Sequence, residues 1–361
     1  MVEAVSRVGK HFHIPSLDGI RAASFGIVFL SHAGIDAVPG GFGVTVFFFL
    51  SGFLITTLMR RESEKTGEIS LKHFYVRRVL RILPPFYLIL LAAVVLSATG
   101  VSGKMFEGRA VLAQAVHYAN YWIVFHGFGG FPPGTGVYWS LAVEEHFYLL
   151  FPLLYIALQR ARLGRTAQAR ILVGLCALIL CWRALLAFAL HAPGDRIFVA
   201  SDTRFDSILF GCALAIGENP VLDSTSVRES VWKYVLLPLG LVALLATFVI
   251  RAPGFRDTLR YTVQGLALVP LFVCAMRYPT WGPMRPLNLR PVAFVGVLSY
   301  TLYLCHQVAL ASAEHLTPGL GRVAHGALAL AVSLLVAFAM YELVEKPCAR
   351  LRRRLHEKDP V

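Results

Sequence analysis

Long apolar stretches alternate with short polar segments along the whole chain. Each apolar stretch is close to the roughly 20 residues that an α-helix needs to cross the hydrocarbon core of a membrane. The pattern predicts about ten membrane-spanning helices, at residues 17–36, 41–59, 80–99, 138–158, 171–191, 203–217, 234–251, 259–277, 292–312 and 322–343. We therefore predict an all-α fold, a polytopic bundle of transmembrane helices.

Two segments fit this pattern less well. The stretch 203–217 is short and carries Arg204 and Asp206 at its entry. The stretch 109–128 is moderately apolar but contains four polar side chains, Gln114, His117, Asn120 and His126. Counting 109–128 as a span would reverse the side of every later loop, so we predict that it is interfacial or re-entrant.

The distribution of positive charge supports this arrangement. With both termini in the cytoplasm, the predicted cytoplasmic segments hold roughly three times as many Lys and Arg residues as the outer segments, which is the bias of membrane proteins. The formal net charge of +13 therefore reflects topology, and we predict no nucleic-acid partner. Residues 1–345 are predicted to form the membrane domain and residues 346–361 a basic cytoplasmic tail.

Composition agrees with a membrane protein. Hydrophobic residues make up 57% of the 361 residues and charged residues 15%, whereas soluble domains carry about 25% charged residues. The six cysteines include no C-x-x-C pair and lie mostly in apolar stretches. We interpret them as packing residues and predict neither a disulfide framework nor a metal site. No cleavable signal peptide is predicted.

The first predicted span contains the most informative polar residues of the chain. Asp18, Arg21 and His32 lie in an otherwise apolar stretch. The eleven steps from Arg21 to His32 make about three helical turns, so the two residues share one helix face about 16 Å apart, and Asp18 lies close to that face. Ionisable residues inside a span are costly and mark functional sites. A buried ion pair with a passenger histidine is the structural alternative.

An arginine cluster precedes the third predicted span. Arg77, Arg78 and Arg81 are followed by two prolines, at positions 84 and 85, where the chain bends or enters the span. Arg78 and Arg81 are three residues apart on one helix face, and guanidinium groups match phosphate geometry. The cluster is either a phosphate clamp at the cytoplasmic mouth or plain cytoplasmic positive charge.

Two further polar groups lie at or within spans. The stretch from Trp139 and Ser140 to Glu144 and Glu145 opens the fourth span. One interpretation is that this stretch caps the helix at the membrane interface. The other is that one glutamate faces a cavity, where it acts as an acid–base group or binds sugar hydroxyls. Neighbouring helical positions diverge by about 100°, so the two glutamates are not expected to share a role. A second polar stripe, in the ninth span, lines the same cavity or joins helices, and it comprises Ser299, Tyr300, Tyr303 and His306.

Taken together, these motifs resemble those of the acyltransferase-3 family of integral membrane acyltransferases, almost from end to end. The matching motifs occur in order as the R-x10-H pair Arg21/His32, the R-x-x-R pair Arg78/Arg81, W-S-L-x-V-E-E from Trp139, S-Y-x-L-Y-L-x-H from Ser299, and V-E-K-P at 344–347. His146 departs from the family pattern, which usually has Gln there, and so does Gln307. The chain resembles members without a periplasmic esterase-like domain.

The resemblance implies transfer of an acyl group, usually acetyl, from a cytoplasmic acyl-CoA to a hydroxyl of a carbohydrate or glycolipid of the cell envelope. It implies a multi-pass protein of the bacterial inner membrane that uses acetyl-CoA or another acyl-CoA and no metal. His32 would act as a general base or a transient acyl carrier, assisted by Arg21 and Asp18. The arginine cluster would bind the donor. Either glutamate would orient the acceptor, together with substrate-binding Trp139, Ser140, Tyr300, Tyr303 and His306.

Two other classes of function remain open at this stage. A transporter or proton-coupled permease could use the Asp18/Arg21/His32 stripe as a proton relay. The sequence lacks the paired halves with broken helices that many transporters show. A non-catalytic lipid or glycan sensor, or an export subunit, is the third class, and the intact Arg21/His32 pair argues against it.

Overall fold

A computed structural model describes residues 14–35, 37–103 and 106–358, with side chains described as far as residue 355. Within this part of the chain all regular structure is helical, and no β-strand occurs. The prediction of an all-α bundle is therefore confirmed. Residues 1–13, Asp36, Lys104, Met105 and residues 359–361 lie outside the described residues, and they include the last residue of the first predicted span and the end of the predicted tail.

The helices follow one another with short connections. The first eight are α1 Leu17–His32, α2 Gly40–Thr66, α3 Leu71–Ala98, α4 Gly108–Ala115, α5 Ala119–His126, α6 Trp139–Arg160, α7 Arg165–Ala184 and α8 Gly194–Val199. The next eight are α9 Ser201–Gly217, α10 Glu229–Val231, α11 Leu237–Val249, α12 Pro253–Asp257, α13 Leu259–Arg277, α14 Arg290–Leu316, α15 Arg322–Met340 and α16 Lys346–Lys358. Short π-helical turns join α10 to α11 and α15 to α16.

Eight helices of the described chain are long and apolar enough to cross a membrane, and each contains or overlaps one of the ten predicted spans. The other two predicted spans are also helices, but α1 has 16 residues and α9 has 17. Helices of that length measure about 25 Å, slightly less than the ~30 Å hydrocarbon core. The segment 109–128 forms α4 and α5, each of eight residues, which are too short to cross.

The inner helices differ from the outer ones in burial. In the most apolar window of α2, 78% of the residues are buried inside the protein, compared with 17% for the long helix that contains α15. Lipid-facing helices need only apolar side chains, whereas inner helices can carry polar ones that pair within the protein. The centre of the bundle, around α2, is therefore where a functional site is expected.

The polar helix α9 lies against α2 and α7. Gly52 of α2 faces the carbonyl oxygen of Ile208, and Gly211 of α9 faces the carbonyl oxygen of Phe49. A Cβ atom at either glycine would collide with backbone, so only glycine allows the two helices to approach this closely. This contact places Arg204 and Asp206 in the protein interior, which explains why the segment is short of apolar residues and still belongs to the bundle.

Candidate active site

The histidines of the first and ninth predicted spans meet in the structure. Nδ1 of His32, at the end of α1, lies 2.9 Å from Nε2 of His306 in α14. The two rings are stacked, with centroids 5.2 Å apart. His306 is fully buried, and the rings of Phe25 and Phe29 pack against it. These apolar walls hold His306 in a single orientation toward His32.

The hydrogen bonds of His306 assign the protons on both rings. Nδ1 of His306 lies 2.7 Å from the carbonyl oxygen of Tyr303 and 3.1 Å from that of Leu302. A carbonyl oxygen only accepts, so in neutral His306 the proton is on Nδ1 and Nε2 is an acceptor. Nδ1–H of His32 then donates to Nε2 of His306. This leaves Nε2 of His32 without a proton and able to accept one.

A small cavity, here called the inner cavity, lies among α1, α2, α3, α6 and α14. Its volume is about 100 Å³, well below the roughly 300–1,000 Å³ of sites for drug-sized ligands. Its polar lining consists of Arg21, Ser51, Arg78, Arg81, Ser140, Glu144, Tyr148, Ser299, Tyr300 and Tyr303. Apolar side chains such as Val44, Phe47 and Leu141 complete the lining. The structure thus brings residues from four of the predicted motifs to one cavity.

The two predicted glutamates have different surroundings. Glu144 lines the inner cavity, and its carboxylate accepts a hydrogen bond of 3.2 Å from the hydroxyl of Tyr148. The hydroxyl of Ser51 in turn hydrogen-bonds to that of Tyr148, and Arg78 lies 5.0 Å over the tyrosine ring. Glu145 is not among the residues of the cavity wall. This agrees with the prediction from helical geometry that the two glutamates do not share a role.

Tyr303 connects the inner cavity with the histidine pair. Its hydroxyl lies 2.7 Å from Oγ of Ser140, inside the cavity wall. Its ring centroid lies 5.6 Å from that of His306. Tyr303 therefore borders both the inner cavity and the histidine pair.

A larger basic cavity, here called the vestibule, adjoins the inner cavity. Its volume is about 540 Å³. Arg21 and Arg81 line both cavities, and Arg21 donates to Asp18 at 2.6 Å, as expected for residues three apart on one helix face. The charged lining consists of Asp18, Arg21, Arg81, Glu345, Lys346, Arg350, Arg352 and Arg353. Four of these basic residues belong to the segment that the sequence assigned to a cytoplasmic tail.

The three arginines of the predicted phosphate clamp separate into two groups. Arg78 and Arg81 line the inner cavity together, in agreement with their helical spacing. Arg77 instead donates to Glu62 of α2 at 2.6 Å and is not part of either cavity wall. Arg77 therefore joins α3 to α2, and the geometry assigns it no contact with a ligand.

Two aromatic residues that were predicted to bind substrate make contacts with other parts of the protein. The hydroxyl of Tyr300 donates to the carbonyl oxygen of Ile82 at 2.9 Å, although the residue lines the inner cavity. Trp139 is buried and packs on Phe198, with ring centroids 4.8 Å apart. Its contribution is to the packing behind Ser140.

Arg204 is a buried residue whose role the sequence did not indicate. It is fully buried, and its guanidinium lies 4.2 Å over the ring of Tyr261. Three more rings lie within 6 Å of it, those of Phe48, Trp139 and Phe198. Aromatic faces stabilise a desolvated cation, so this cage holds α9 against α2, α6 and α13. The sequence feature that could have indicated this role is the position of Arg204 and Asp206 at the start of an apolar stretch.

Arg183 and Asp206 form a second buried polar group. Both side chains are completely buried and lie 2.7 Å apart. Arg183 also donates to the carbonyl oxygens of Thr203 and Thr258. The carboxylate and the backbone oxygens occupy the donors of the guanidinium, which is how a buried charge is tolerated. The pair joins α7, α9 and α13 and has no contact with the inner cavity.

His146, where the chain departs from the family pattern, has a structural contact. Its Nδ1 lies 2.7 Å from Oγ of Ser201 at the start of α9, and its ring stacks on Tyr121. The amide of Asn120 donates to the same hydroxyl at 2.9 Å. The histidine therefore joins α6 to α5 and α9 beside the site.

A third cavity of about 500 Å³, here called the opposite cleft, lies at the other end of α1 from the vestibule. The vestibule contains Asp18 and Arg21 from the first turns of α1, whereas the opposite cleft contains Gly40 and Gly41 from the first turn of α2. Its charged lining consists of Asp195, Arg251, Arg256, Asp257 and Arg260. The histidine pair lies at this end of α1.

Metal-binding arrangements are absent from residues 14–35, 37–103 and 106–358, where no group of three His, Cys, Asp or Glu side chains could hold an ion. All six cysteines are free, and four of them are buried among apolar neighbours.

Comparison with known proteins gives a consistent result. Residues 14–342 match the family model described as an acyltransferase domain. The "Peptidoglycan O-acetyltransferase OatA" of Listeria monocytogenes is 29% identical over 311 residues, which cover 81% of this chain and 49% of that protein. The Bacillus subtilis protein named "Putative peptidoglycan O-acetyltransferase YrhL" is 30% identical, with 93% and 55% covered. A Staphylococcus aureus protein named "Putative O-acetyltransferase" is also 30% identical, with 94% and 58% covered.

The chain spans about half the length of the curated relatives that it matches. No solved structure matches it. The family model covers most of the chain, and it includes the histidine pair, the inner cavity and the apolar helices that make this an integral membrane protein. The chain belongs to the acyltransferase-3 family.

Proposed function

We propose that the protein transfers an acyl group, in the first place acetyl, from a cytoplasmic acyl-CoA to a hydroxyl of a cell-envelope carbohydrate. The family membership supports acyl transfer. The names of the Listeria and Bacillus relatives make peptidoglycan the first acceptor to examine. The relatives are bacterial, so the plasma membrane is the proposed location.

The observation that carries the proposal is the proton arrangement of the histidine pair. His306 accepts from Nδ1–H of His32, and this leaves Nε2 of His32 as a lone-pair nitrogen. A general base for a hydroxyl acceptor needs such a nitrogen, and so does a histidine that carries the acyl group itself. A buried group that orients the base is the same logic as in a catalytic triad.

Direct transfer takes place as follows. The acceptor oxygen attacks the thioester carbonyl carbon while its proton moves to Nε2 of His32. The C–S bond then breaks, and the departing thiolate takes the proton from the histidine. In the alternative, Nε2 attacks the thioester carbonyl carbon first, the C–S bond breaks and the thiolate leaves, which gives an acyl-imidazolium. The acceptor hydroxyl then attacks the acyl carbon, the C–N bond breaks, and the hydroxyl proton passes to the thiolate. Both routes use the same nitrogen, and trapping of an acyl-His32 adduct would separate them.

The donor enters from the vestibule in this proposal. The vestibule is basic and wide, while the inner cavity is narrow and extends from Arg21 and Arg81 to Tyr303. Phosphate groups would remain among the arginines, and the thioester arm would extend through the inner cavity. A cavity of about 100 Å³ suits a short acyl group better than a long chain. Arg21, held by Asp18, would act on the donor side because it lies about 16 Å along α1 from His32.

The acceptor approaches from the other end of the bundle. His32 ends α1 at the side of the opposite cleft, so an acceptor hydroxyl would reach it from there. Glu144 and Tyr303 are the proposed polar contacts for the transferring groups, since both line the inner cavity. The bias of Lys and Arg residues supports a cytoplasmic position for the vestibule, the start of α1 and α16. The acyl group would then cross the membrane through the protein.

The test compares acylation of envelope glycans in a deletion strain complemented with wild type, His32→Ala or His325→Ala, at matched membrane abundance. His325 lies in α15, and its ring contacts the carbonyl oxygen of Thr317, away from the site. We expect wild type and His325→Ala to restore an acyl-sized mass on the glycan, and His32→Ala to lose it. Full acylation by His32→Ala would contradict the mechanism. Unchanged acylation in the deletion strain itself would favour the transporter or sensor alternatives.

A further inference from the structure

The C-terminal helix covers the vestibule. α16 continues the long helix that begins at Arg322, and it packs against the first half of α3. Four of its basic residues line the vestibule next to Arg81, namely Lys346, Arg350, Arg352 and Arg353. The segment is therefore part of a cavity wall rather than a tail in solution.

The charges of this wall are not balanced within the described chain. Asp18 is paired with Arg21, and Glu345 accepts a hydrogen bond of 2.6 Å from Thr301. Lys346 pairs with Glu342 at 2.5 Å. Among the side chains that the structure describes, no carboxylate lies within ion-pair distance of the four arginines Arg81, Arg350, Arg352 and Arg353. Like charges gathered around one cavity repel each other, and a bound polyanion removes that cost.

The position of the wall indicates which part of a ligand it meets. Arg81 lines both the vestibule and the inner cavity, so the two cavities adjoin at this residue. A ligand with a polyanionic head and a long thin arm fits the wide basic cavity and the narrow one together. Guanidinium groups bind phosphate oxygens with two parallel hydrogen bonds.

We propose that α16 is the nucleotide-phosphate recognition element of this protein. Arg352 and Arg353, with Arg350 and Arg81, bind the phosphate groups of the coenzyme A part of the donor and leave its thioester arm to the inner cavity. This assignment rests on the proposed function, because it takes the donor to be an acyl-CoA. It gives the last helix a direct part in donor affinity.

The experiment measures coenzyme A binding to the full-length protein in nanodiscs of zwitterionic lipid by isothermal titration calorimetry. The test variant is Arg352→Gln/Arg353→Gln. The matched control is Arg162→Gln/Arg354→Gln, which removes the same charge from two exposed residues outside the vestibule. We expect the test variant to bind coenzyme A about tenfold more weakly, since hydrogen bonds to charged groups contribute at that level. The control should bind as wild type does.

A ligand without phosphates provides the second comparison. Pantetheine has the same thiol arm, and the proposal expects its affinity to be equal in wild type and test variant. Cys348 lines the vestibule and serves as an internal reporter. S-methyl coenzyme A, which has no free thiol to consume the reagent, should slow its alkylation by a maleimide in wild type, as read by mass spectrometry of the peptide, and S-methyl pantetheine should not.

Each contrary outcome has one meaning. Equal coenzyme A affinity in test variant and wild type would overturn the role of α16 while leaving the acyl-CoA donor in place. Failure of wild type to bind coenzyme A at all would overturn the donor assignment and this inference together. An anionic lipid headgroup offers the same phosphate chemistry. If phosphatidylglycerol in the nanodisc protects Cys348 and S-methyl coenzyme A does not, α16 binds lipid and the inference is wrong.

Discussion

At the scale of single residues, the site depends on where one proton lies. Neutral His32 and His306 could in principle exchange donor and acceptor roles. The carbonyl oxygens of Leu302 and Tyr303 remove that freedom because they accept only from Nδ1 of His306. The available nitrogen of His32 is thus determined by the backbone of α14. His306 is a positioning residue in this scheme, since it acts through His32.

Replacing His306 should therefore lower turnover without lowering donor affinity. We expect His306→Ala to reduce kcat by about 10²-fold or more, as expected for loss of the group that orients a general base. His306→Gln should recover part of the loss, because its side-chain oxygen can still accept from His32. Steady-state kinetics with purified protein measure both parameters. A rise in KM for the donor at unchanged kcat would assign His306 to binding instead.

At the scale of helices, one aspartate joins three segments at one end of the bundle. Both carboxylate oxygens of Asp223 accept from Arg60 of α2, at 2.5 and 2.7 Å. Arg165 of α7 donates at 2.6 Å and the backbone N–H of Asn219 at 2.9 Å. Burial alone would raise the pKa of Asp223, but these hydrogen bonds outweigh it and hold the pKa well below its usual range.

This contact predicts a pH-dependent contribution to stability. The pKa of Asp223 is lower in the folded protein than in the unfolded chain, so its contribution is complete above the ordinary aspartate pKa of about 3.9 and declines as the pH falls below it. We expect Asp223→Asn to lower the free energy of unfolding by about 2 kcal/mol near neutral pH, with a smaller difference near pH 3. Thermal unfolding in detergent between these pH values measures it.

A matched substitution separates this contact from surface charge in general. Glu342 pairs with Lys346 one helical turn away, and the two side chains are 39% and 42% exposed. Exposed pairs contribute little, so Glu342→Gln should change the unfolding temperature only slightly. A loss equal to that of Asp223→Asn would show that net charge, and not the contacts of Asp223, sets the stability.

At the scale of the whole molecule, two cavities lie at opposite ends of one helix. The vestibule begins at Asp18 and the opposite cleft lies beyond His32, with the inner cavity between them. α1 and α16 meet at the vestibule, so the first and last described helices share one end of the bundle. We propose that this end faces the cytoplasm, because Lys and Arg residues are concentrated in the predicted cytoplasmic segments.

Thiol labelling tests this orientation. Cys348 lies at the vestibule, and position 319 lies in the exposed loop between α14 and α15 at the other end. We expect a membrane-impermeant maleimide to label Cys348 in inside-out vesicles and not in intact cells or spheroplasts. A Gly319→Cys variant, in which a side chain meets no neighbour, should show the reverse pattern. The opposite result for both cysteines would invert the topology.

The amino-acid sequence by itself determined the helices and their local faces. A helix repeats every 3.6 residues, so the Asp18–Arg21 pair and the shared side of Arg78 and Arg81 followed from spacing, and the structure confirms both. The same periodicity predicted that Glu144 and Glu145 diverge. The lengths of the apolar stretches predicted the eight helices that are long enough to cross a membrane, and also the two shorter helices α1 and α9.

Only the tertiary structure decided which faces meet. His32 and His306 are 274 residues apart, and nothing in a local repeat relates them. The sequence likewise predicted a basic tail where the structure has α16, which packs against α3 and lines the vestibule. It also predicted that Arg77 contacts a ligand, whereas Arg77 hydrogen-bonds to Glu62. The physical reason is that helix formation depends on neighbours along the chain, while the pairing of polar side chains inside a membrane protein depends on close packing between distant helices.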